Sequence, residues 1–153
     1  MYDHNTTYTA LNITPDVKEF IERARVARLA TIDSEFRPHL VPVVFVFDGN
    51  SFFIPIDEKR KRTAKPEMLK RIRNIQHNPN VSLLIDIYSE DWTRLAFVTI
   101  QGKASVASKT ERNIQVREAY KKLKTKYLQY QKVGIGETCI IIAPEKVASW
   151  SNS

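Results

Sequence analysis

The residues best suited to chemistry in this chain are basic. Positions 59–73 carry Lys59, Arg60, Lys61, Arg62, Lys65, Lys70, Arg71 and Arg73 against one acid, Glu67. That window nets 8 − 1 = +7, the same as the whole chain (24 Lys and Arg less 17 Asp and Glu), so the remainder sums to zero. Positive charge gathered in one segment points to an anionic partner: a phosphorylated small molecule, a nucleic acid or a membrane surface. Arginine offers a planar fork and lysine a compact charge, and both suit phosphate. Thr63 adds a hydroxyl, and Pro66 reads as the start of a short helix whose first N–H groups face an anion. No aromatic residue that could stack on a base lies in the window, which favours a small anionic cofactor over nucleic acid. A solvated loop is the remaining alternative on composition alone.

Other chemistries find little support. His4, His39 and His77 are far apart, and no spacing of His, Cys, Asp or Glu resembles a ligand set, so no metal site is expected. There is no Gly-x-Ser-x-Gly nucleophile elbow. Four glycines leave no room for a Gly-rich phosphate loop, so any phosphate must be gripped by side chains. Cys139 is the one cysteine, which excludes an intramolecular disulfide, and its apolar surroundings mark it as a small buried hydrophobe. No side chain is assigned a catalytic role. No stretch approaches the roughly 20 apolar residues of a membrane span. The polar start lacks the pattern of a signal peptide. The expectation is one cytoplasmic domain over residues 1–153.

The elements that must position these residues alternate between strands and helices. Thr14, Pro15 and Asp16 open a helix with Val17, Phe20, Ile21 and Ala24 on one face. Strands follow at 26–32, 39–47 and 51–56, with turns at 33–35 and at Asp48-Gly49-Asn50. Pro42 and Pro55 belong at an edge, bulge or strand end. A short helix from Pro66, carrying Met68, Leu69, Ile72 and Ile75, ends at Asn78-Pro79. Residues 81–88 form a fourth strand that reads as buried on both sides. Residues 95–107 form a fifth strand with a bulge at Gly102. Thr110 caps the longest helix, to about residue 131, with Val116, Ala119, Tyr120, Leu123 and Tyr127 inward. A last strand spans 137–143, and 147–150 extends the sheet after Pro144. The pattern predicts a mainly β, α+β fold: a six-stranded antiparallel barrel with helices at its ends or sides.

Arg28-Leu29-Ala30-Thr31-Ile32, followed by Arg37-Pro38-His39-Leu40-Val41-Pro42-Val43, resembles the opening hairpin of the pyridoxamine 5'-phosphate oxidase-like FMN-binding split barrels. The segments at 57–63 and 73–84 are similar to those that follow in that superfamily. Glu90-Asp91-Trp92-Thr93-Arg94-Leu95 resembles a motif of the subgroup that uses the deazaflavin coenzyme F-420. The chain departs from that subgroup at Arg60, where proline is usual, at the inserted residues 64–67, and at Ala96-Phe97, where an aromatic pair is common.

The resemblance implies a homodimeric split β-barrel with two cofactor sites at the subunit interface. Lys59, Lys61, Arg62 and Thr63 would hold the cofactor phosphate, with Arg71 aimed at it. His39, Val41 and Pro42 would lie against the ring system, flanked by Ile54, Pro55 and Ile56. Trp92 would reach the site of the opposite subunit. The implied activity is hydride transfer between coenzyme F-420 and a small organic substrate. FMN-dependent oxidoreduction, or a non-catalytic flavin- or deazaflavin-binding role, is the alternative within the class. A nucleic-acid-binding module is the rival outside it.

Overall fold

The computed structural model describes residues 7–9, 13–57, 69–108 and 113–152. A short strand, β1 (Thr7–Thr9), precedes the first helix, α1 (Pro15–Arg23). The Thr14 hydroxyl accepts from the Val17 N–H at 3.4 Å, Pro15 opens the first turn and Asp16 faces the positive helix end. Ile21 is fully buried, and Val17, Phe20 and Ala24 pack against the same core.

β2 (Ala27–Ile32) and β3 (Pro38–Val43) form a hairpin closed by Asp33. The Asp33 carboxylate accepts from the Glu35 and Arg37 N–H groups at 2.9 Å each, and Phe36 takes a left-handed φ of 59°. The backbone N–H of Arg37, and then its guanidinium, hold the Asp33 carboxyl down at about 2. β4 (Val46–Phe47) and β5 (Phe52–Pro55) flank the turn at Gly49, whose φ of 96° suits glycine. Helix α2 (Lys70–His77) leads into β6 (Asn80–Ile87) and β7 (Ala96–Ser108). Helix α3 (Ile114–Lys126) precedes β8 (Thr138–Ser151).

All pairings are antiparallel, in the order β3-β2-β6-β7-β8-β5-β4, with β1 on β8. Only Val44 and Phe45 separate β3 from β4, so the two ends of this path are neighbours in the chain and the sheet curls onto itself as a barrel. The predicted six strands become seven on the path plus β1. The strand expected at 39–47 divides because Phe45 gives its backbone groups to α3 rather than to a ladder. Its N–H donates to the Tyr127 hydroxyl at 3.2 Å, and its carbonyl accepts from the Lys126 ammonium at 3.1 Å.

Four further expectations change. β8 runs unbroken through Pro144: Gln101 pairs with Lys146 and Gly102 with Pro144, so Glu145 is the extra residue of a bulge. Gly102 is required there, since a Cβ would stand 2.3 Å from the Ala143 carbonyl oxygen. Helix α3 is capped by Asn113, whose side chain accepts from the Gln115 and Val116 N–H groups. It stops at Lys126, where Tyr127 turns extended. The predicted cap, Thr110, lies outside the described residues. Helix α2 begins at Lys70 rather than at Pro66, which also lies outside them. β6 is buried on one side: Val81, Leu83 and Ile85 point inward while Leu84 is 37% exposed.

Inside the barrel, Phe45, Phe47 and Phe52 cluster with ring centroids 4.5 and 5.9 Å apart, beside Leu29, Ile54, Ile56 and Ile100. A second cluster beneath α3 joins Phe53, Val116, Tyr120, Leu123 and Cys139. Burial pushes the Cys139 thiol up to about 12, as expected of an inert packing residue. No helix of the described residues is long and apolar enough to cross a membrane.

Candidate anion site at one end of the barrel

Residues alternate across β3, so His39, Val41 and Val43 share the inward face and Pro38, Leu40 and Pro42 the outward one. Thr31 is the cross-strand partner of His39 and shares its face. Thr31 and Asn74 are both buried, and the Asn74 amide donates to the Thr31 hydroxyl at 3.0 Å. This bond seats α2 over the end of β2 and β3. Lys70, in the first turn of α2, stands 3.8 Å from Asp33.

Arg71 is three residues before Asn74 and therefore on the same face of the helix. Among the described residues its Nε is buried without a hydrogen-bond partner, as is Nδ1 of His39. Burial, and then the charges of Lys70 and Arg71, lower the His39 pKa, which keeps the imidazole neutral at physiological pH. Burial likewise lowers the Arg71 pKa, opposed by the carboxylate of Asp57. Asp57 follows β5 and accepts from the Tyr130 hydroxyl at 2.7 Å.

Helix α2 has no side-chain cap and no acid in its first turn. Two cations, Lys70 and Arg71, occupy the end where the helix dipole is positive, an arrangement that costs roughly 0.3–1 kcal/mol per charge unless an anion is present. Asp57, shortly after β5, and Leu69, the N-cap of α2, flank residues 58–68. Lys59, Lys61, Arg62 and Thr63 fall outside the described residues.

The other predicted site residues separate. Val41 packs against the barrel core. Ile54 and Ile56 are each 1% exposed within that core, and Pro55, paired with Cys139, is buried beside them. Pro42 faces outward on the sheet edge. Trp92 is 66% exposed on a 3-10 turn (Trp92–Arg94) after the far end of β6. Seven steps of about 3.3 Å along β6 separate the two ends by roughly 23 Å, so Trp92 does not meet His39 or Arg71 within one chain. A groove of about 450 Å³ lies close to the site on the outward side, lined by Ala30, Ile32, Pro38, Ser82, Gln101 and Lys146 among others. Among the described residues no group of His, Cys, Asp or Glu is arranged to hold a metal.

The sequence matches the pyridoxamine 5'-phosphate oxidase family over residues 13–151. The chain belongs to the pyridoxamine 5'-phosphate oxidase family. Its split-barrel, FMN-binding superfamily includes several similar solved structures. The Mycobacterium tuberculosis protein Rv2991 superposes with a TM-score of 0.71 at 18% identity, covering 94% of this chain and 87% of the other. A FAD-binding protein from Mesorhizobium loti gives 0.66 at 17% identity, with 94% of each chain covered. The heme oxygenase HutZ of Vibrio cholerae is 27% identical over 73 residues, which are 48% of this chain and 36% of that protein. These likenesses show the fold.

Asp57, Tyr130, Lys70 and the Thr31–Asn74 bond were not assigned to the site from sequence. The spacing of Arg71 and Asn74 is a legible signal, since three residues on a helix share a face. Nothing local links Asp57 to Tyr130.

Proposed function

We propose that the chain is a homodimeric oxidoreductase holding a phosphate-bearing flavin-type cofactor: coenzyme F-420 first, FMN as the alternative. The observation that carries this reading is the pair of buried nitrogens, Arg71 Nε and His39 Nδ1, that find no hydrogen-bond partner among the described residues. Buried donors and acceptors are nearly always satisfied, so an orphaned guanidinium nitrogen marks a place for an anion. The surplus of bases over one phosphate favours F-420, whose glutamate tail adds negative charge.

In this reading Arg71 and Lys70 grip the phosphate, with Lys59, Lys61, Arg62 and Thr63 supplying further contacts. Neutral His39 offers a hydrogen bond without adding charge, and Val41 supplies apolar surface. The bound cofactor supplies the hydride-transfer chemistry, so no side-chain acid or base is required.

The dimer is supported by the outward sheet face. Pro38, Leu40 (65% exposed) and Pro42 line the outward face of β3, and Leu84 is exposed on β6 beyond Arg28, apolar groups that water does not favour. A two-fold contact brings opposite ends of the same face together, so Trp92 of each chain would approach the anion site of the other.

The test is a fluorescence titration with F-420 and, separately, FMN at physiological salt. Saturation near one cofactor per subunit, with F-420 the tighter, supports the reading. Tighter FMN binding moves the chemistry to flavin, and binding of neither refutes it. A haem-binding role is the second reading, favoured by the unpartnered Nδ1 of neutral His39 as a potential axial nitrogen and by the likeness to HutZ. It predicts a Soret band on haem addition that His39→Ala abolishes.

A further inference from the structure

The outer face of α3 carries positive charge and little to balance it. Residues 113–133 hold six bases, Arg117, Lys121, Lys122, Lys124, Lys126 and Lys132, and one acid, Glu118, a net 6 − 1 = +5. The helix is anchored from its other side. Val116, Ala119, Tyr120 and Leu123 are buried in one cluster with Phe53 and Cys139, and the Lys126 ammonium turns inward to the Phe45 carbonyl at 3.1 Å. Arg117, Lys121, Lys122 and Lys124 stay exposed. Helix α1 is built differently. Its nine residues hold three acids and two bases, and both bases meet acids one turn away, Lys18 to Glu22 at 3.7 Å and Arg23 to Glu19 at 3.4 Å. Of the exposed bases of α3, only Lys121 has such a partner among the described residues, Glu118 at 3.0 Å. Arg117, Lys121 and Lys124 follow one another at four and three residues, spacings at which like charges destabilise a helix, so the arrangement calls for an anionic partner.

Apolar groups accompany the charge. Ile114 is 73% exposed and shares the outward face, since Arg117 and Lys121 follow it by three and seven residues. Leu128, 68% exposed, and Val133 stand in water past the other end of the helix. The tyrosines of this region turn inward: the hydroxyls of Tyr120, Tyr127 and Tyr130 donate to the Gly136 carbonyl, the Arg25 carbonyl and the Asp57 carboxylate. Nucleic acid rewards aromatic rings placed among bases, whereas a lipid surface rewards aliphatic side chains placed among them. We propose that the outer face of α3, with Ile114, Leu128 and Val133 at its two ends, is a docking surface for an anionic lipid bilayer. The bases meet lipid phosphates, and the aliphatic side chains enter the boundary beneath the headgroups. Twelve steps of about 1.5 Å put roughly 18 Å between the ends of α3, so the helix lies along the surface with both sets of anchors engaged. The apolar face of α3 stays in the protein core. Attachment therefore rests on charge and a few anchors, is reversible and weakens with salt. It needs no bound cofactor.

The test is co-sedimentation of the whole chain with vesicles of two parts phosphatidylcholine to one part phosphatidylglycerol, and with vesicles of phosphatidylcholine alone. The protein should bind the anionic vesicles only, and less as salt rises. Arg117→Gln with Lys124→Gln should weaken that binding about 25-fold, a factor of about five, or about 1 kcal/mol, for each base. Leu128→Ser with Val133→Ser should weaken it about tenfold and leave its salt dependence unchanged. All four positions are exposed, so both variants should keep the circular-dichroism spectrum of the wild type. Lys59→Gln with Lys61→Gln removes the same charge from the other basic segment and should change vesicle binding little. If that pair weakens binding as much as the α3 pair does, net charge rather than a surface on α3 is responsible and the proposal is overturned. Equal binding to both vesicle types, or binding to neither, overturns it too. So does tighter binding to a short DNA duplex that is lost with Arg117 and Lys124 but indifferent to Leu128 and Val133.

Discussion

Among the described residues the bond between Asn74 and Thr31 is the one buried side-chain hydrogen bond that ties α2 to the barrel, and its removal has a calculable cost. Thr31 is 0% and Asn74 4% exposed, with 3.0 Å between Nδ2 and Oγ1. Asn74→Leu leaves the Thr31 hydroxyl without its partner. Thr31→Val leaves the Asn74 amide in the same state. Each single change should cost about 2 kcal/mol, within the 1–3 kcal/mol expected for an unsatisfied buried group. Removing both polar groups together restores an apolar contact, so the double variant should lose about 1–2 kcal/mol less than the sum of the singles. Urea denaturation reads this directly: with m near 2 kcal/mol/M, each single variant should lower the midpoint by about 1 M. Because α2 carries Arg71, each single variant should also weaken FMN or F-420 binding, and the double variant should recover part of it. Strictly additive losses would show that the bond does not hold α2. Unchanged cofactor affinity in destabilised single variants would show that the placement of Arg71 does not depend on it.

Lys126 gives a pH test. Burial, and then the charge of Arg25, lower its pKa from 10.5 to about 8. Between those values the unfolded chain binds more protons than the folded one, so stability rises with pH, is complete above 10.5 and is lost as pH falls through 8. Lys126→Met should flatten that slope and stabilise the protein at neutral pH by about 1 kcal/mol after allowance for solvent screening; an unchanged slope in calorimetric scans across that range would refute the account. Gly102→Ala should destabilise by about 3 kcal/mol, because the new Cβ meets backbone that cannot rotate away, and thermal melts would report it. Leu40→Lys with Leu84→Lys should yield a folded monomer by sedimentation with an unaltered circular-dichroism spectrum, whereas a persisting dimer would place the interface elsewhere.

Elements whose determinants are local were legible in the sequence. The Thr14 cap, the Gly49 turn, the Gly102 bulge and the buried Cys139 each follow from residue type and immediate neighbours. Expectations failed where a distant residue decides. The strand at 39–47 divides because Tyr127 and Lys126, some 80 positions away, take the hydrogen bonds of Phe45. β8 passes through Pro144 because an extra residue, Glu145, is accommodated opposite Gln101 and Gly102, an irregularity belonging to two strands at once. The apolar run in β6 reads as doubly buried because sequence reports only that Leu84 is hydrophobic, whereas its exposure depends on what covers the outer face.

The candidate site was legible by the same division. Arg71 and His39 stand out by type, and the structure brings them to one end of the barrel through β3 and α2. Asp57 and Tyr130 meet only because the end of β5 and the turn after α3 converge across 73 positions of chain. Yet one feature of the sequence carries more information about function than its strand pattern does. Helix starts favour acids and capping hydroxyls, and α1 obeys with Thr14 and Asp16. α2 does the reverse, opening on Leu69, Lys70 and Arg71 with no cap. Such a start weakens the helix in isolation, and beside two buried nitrogens left unsatisfied among the described residues it fits the proposal that an external anion completes it. A local rule obeyed in one helix and broken in the next thus favours the proposed site, where the buried Asn74–Thr31 bond would hold the unfavourable helix start in place for a ligand.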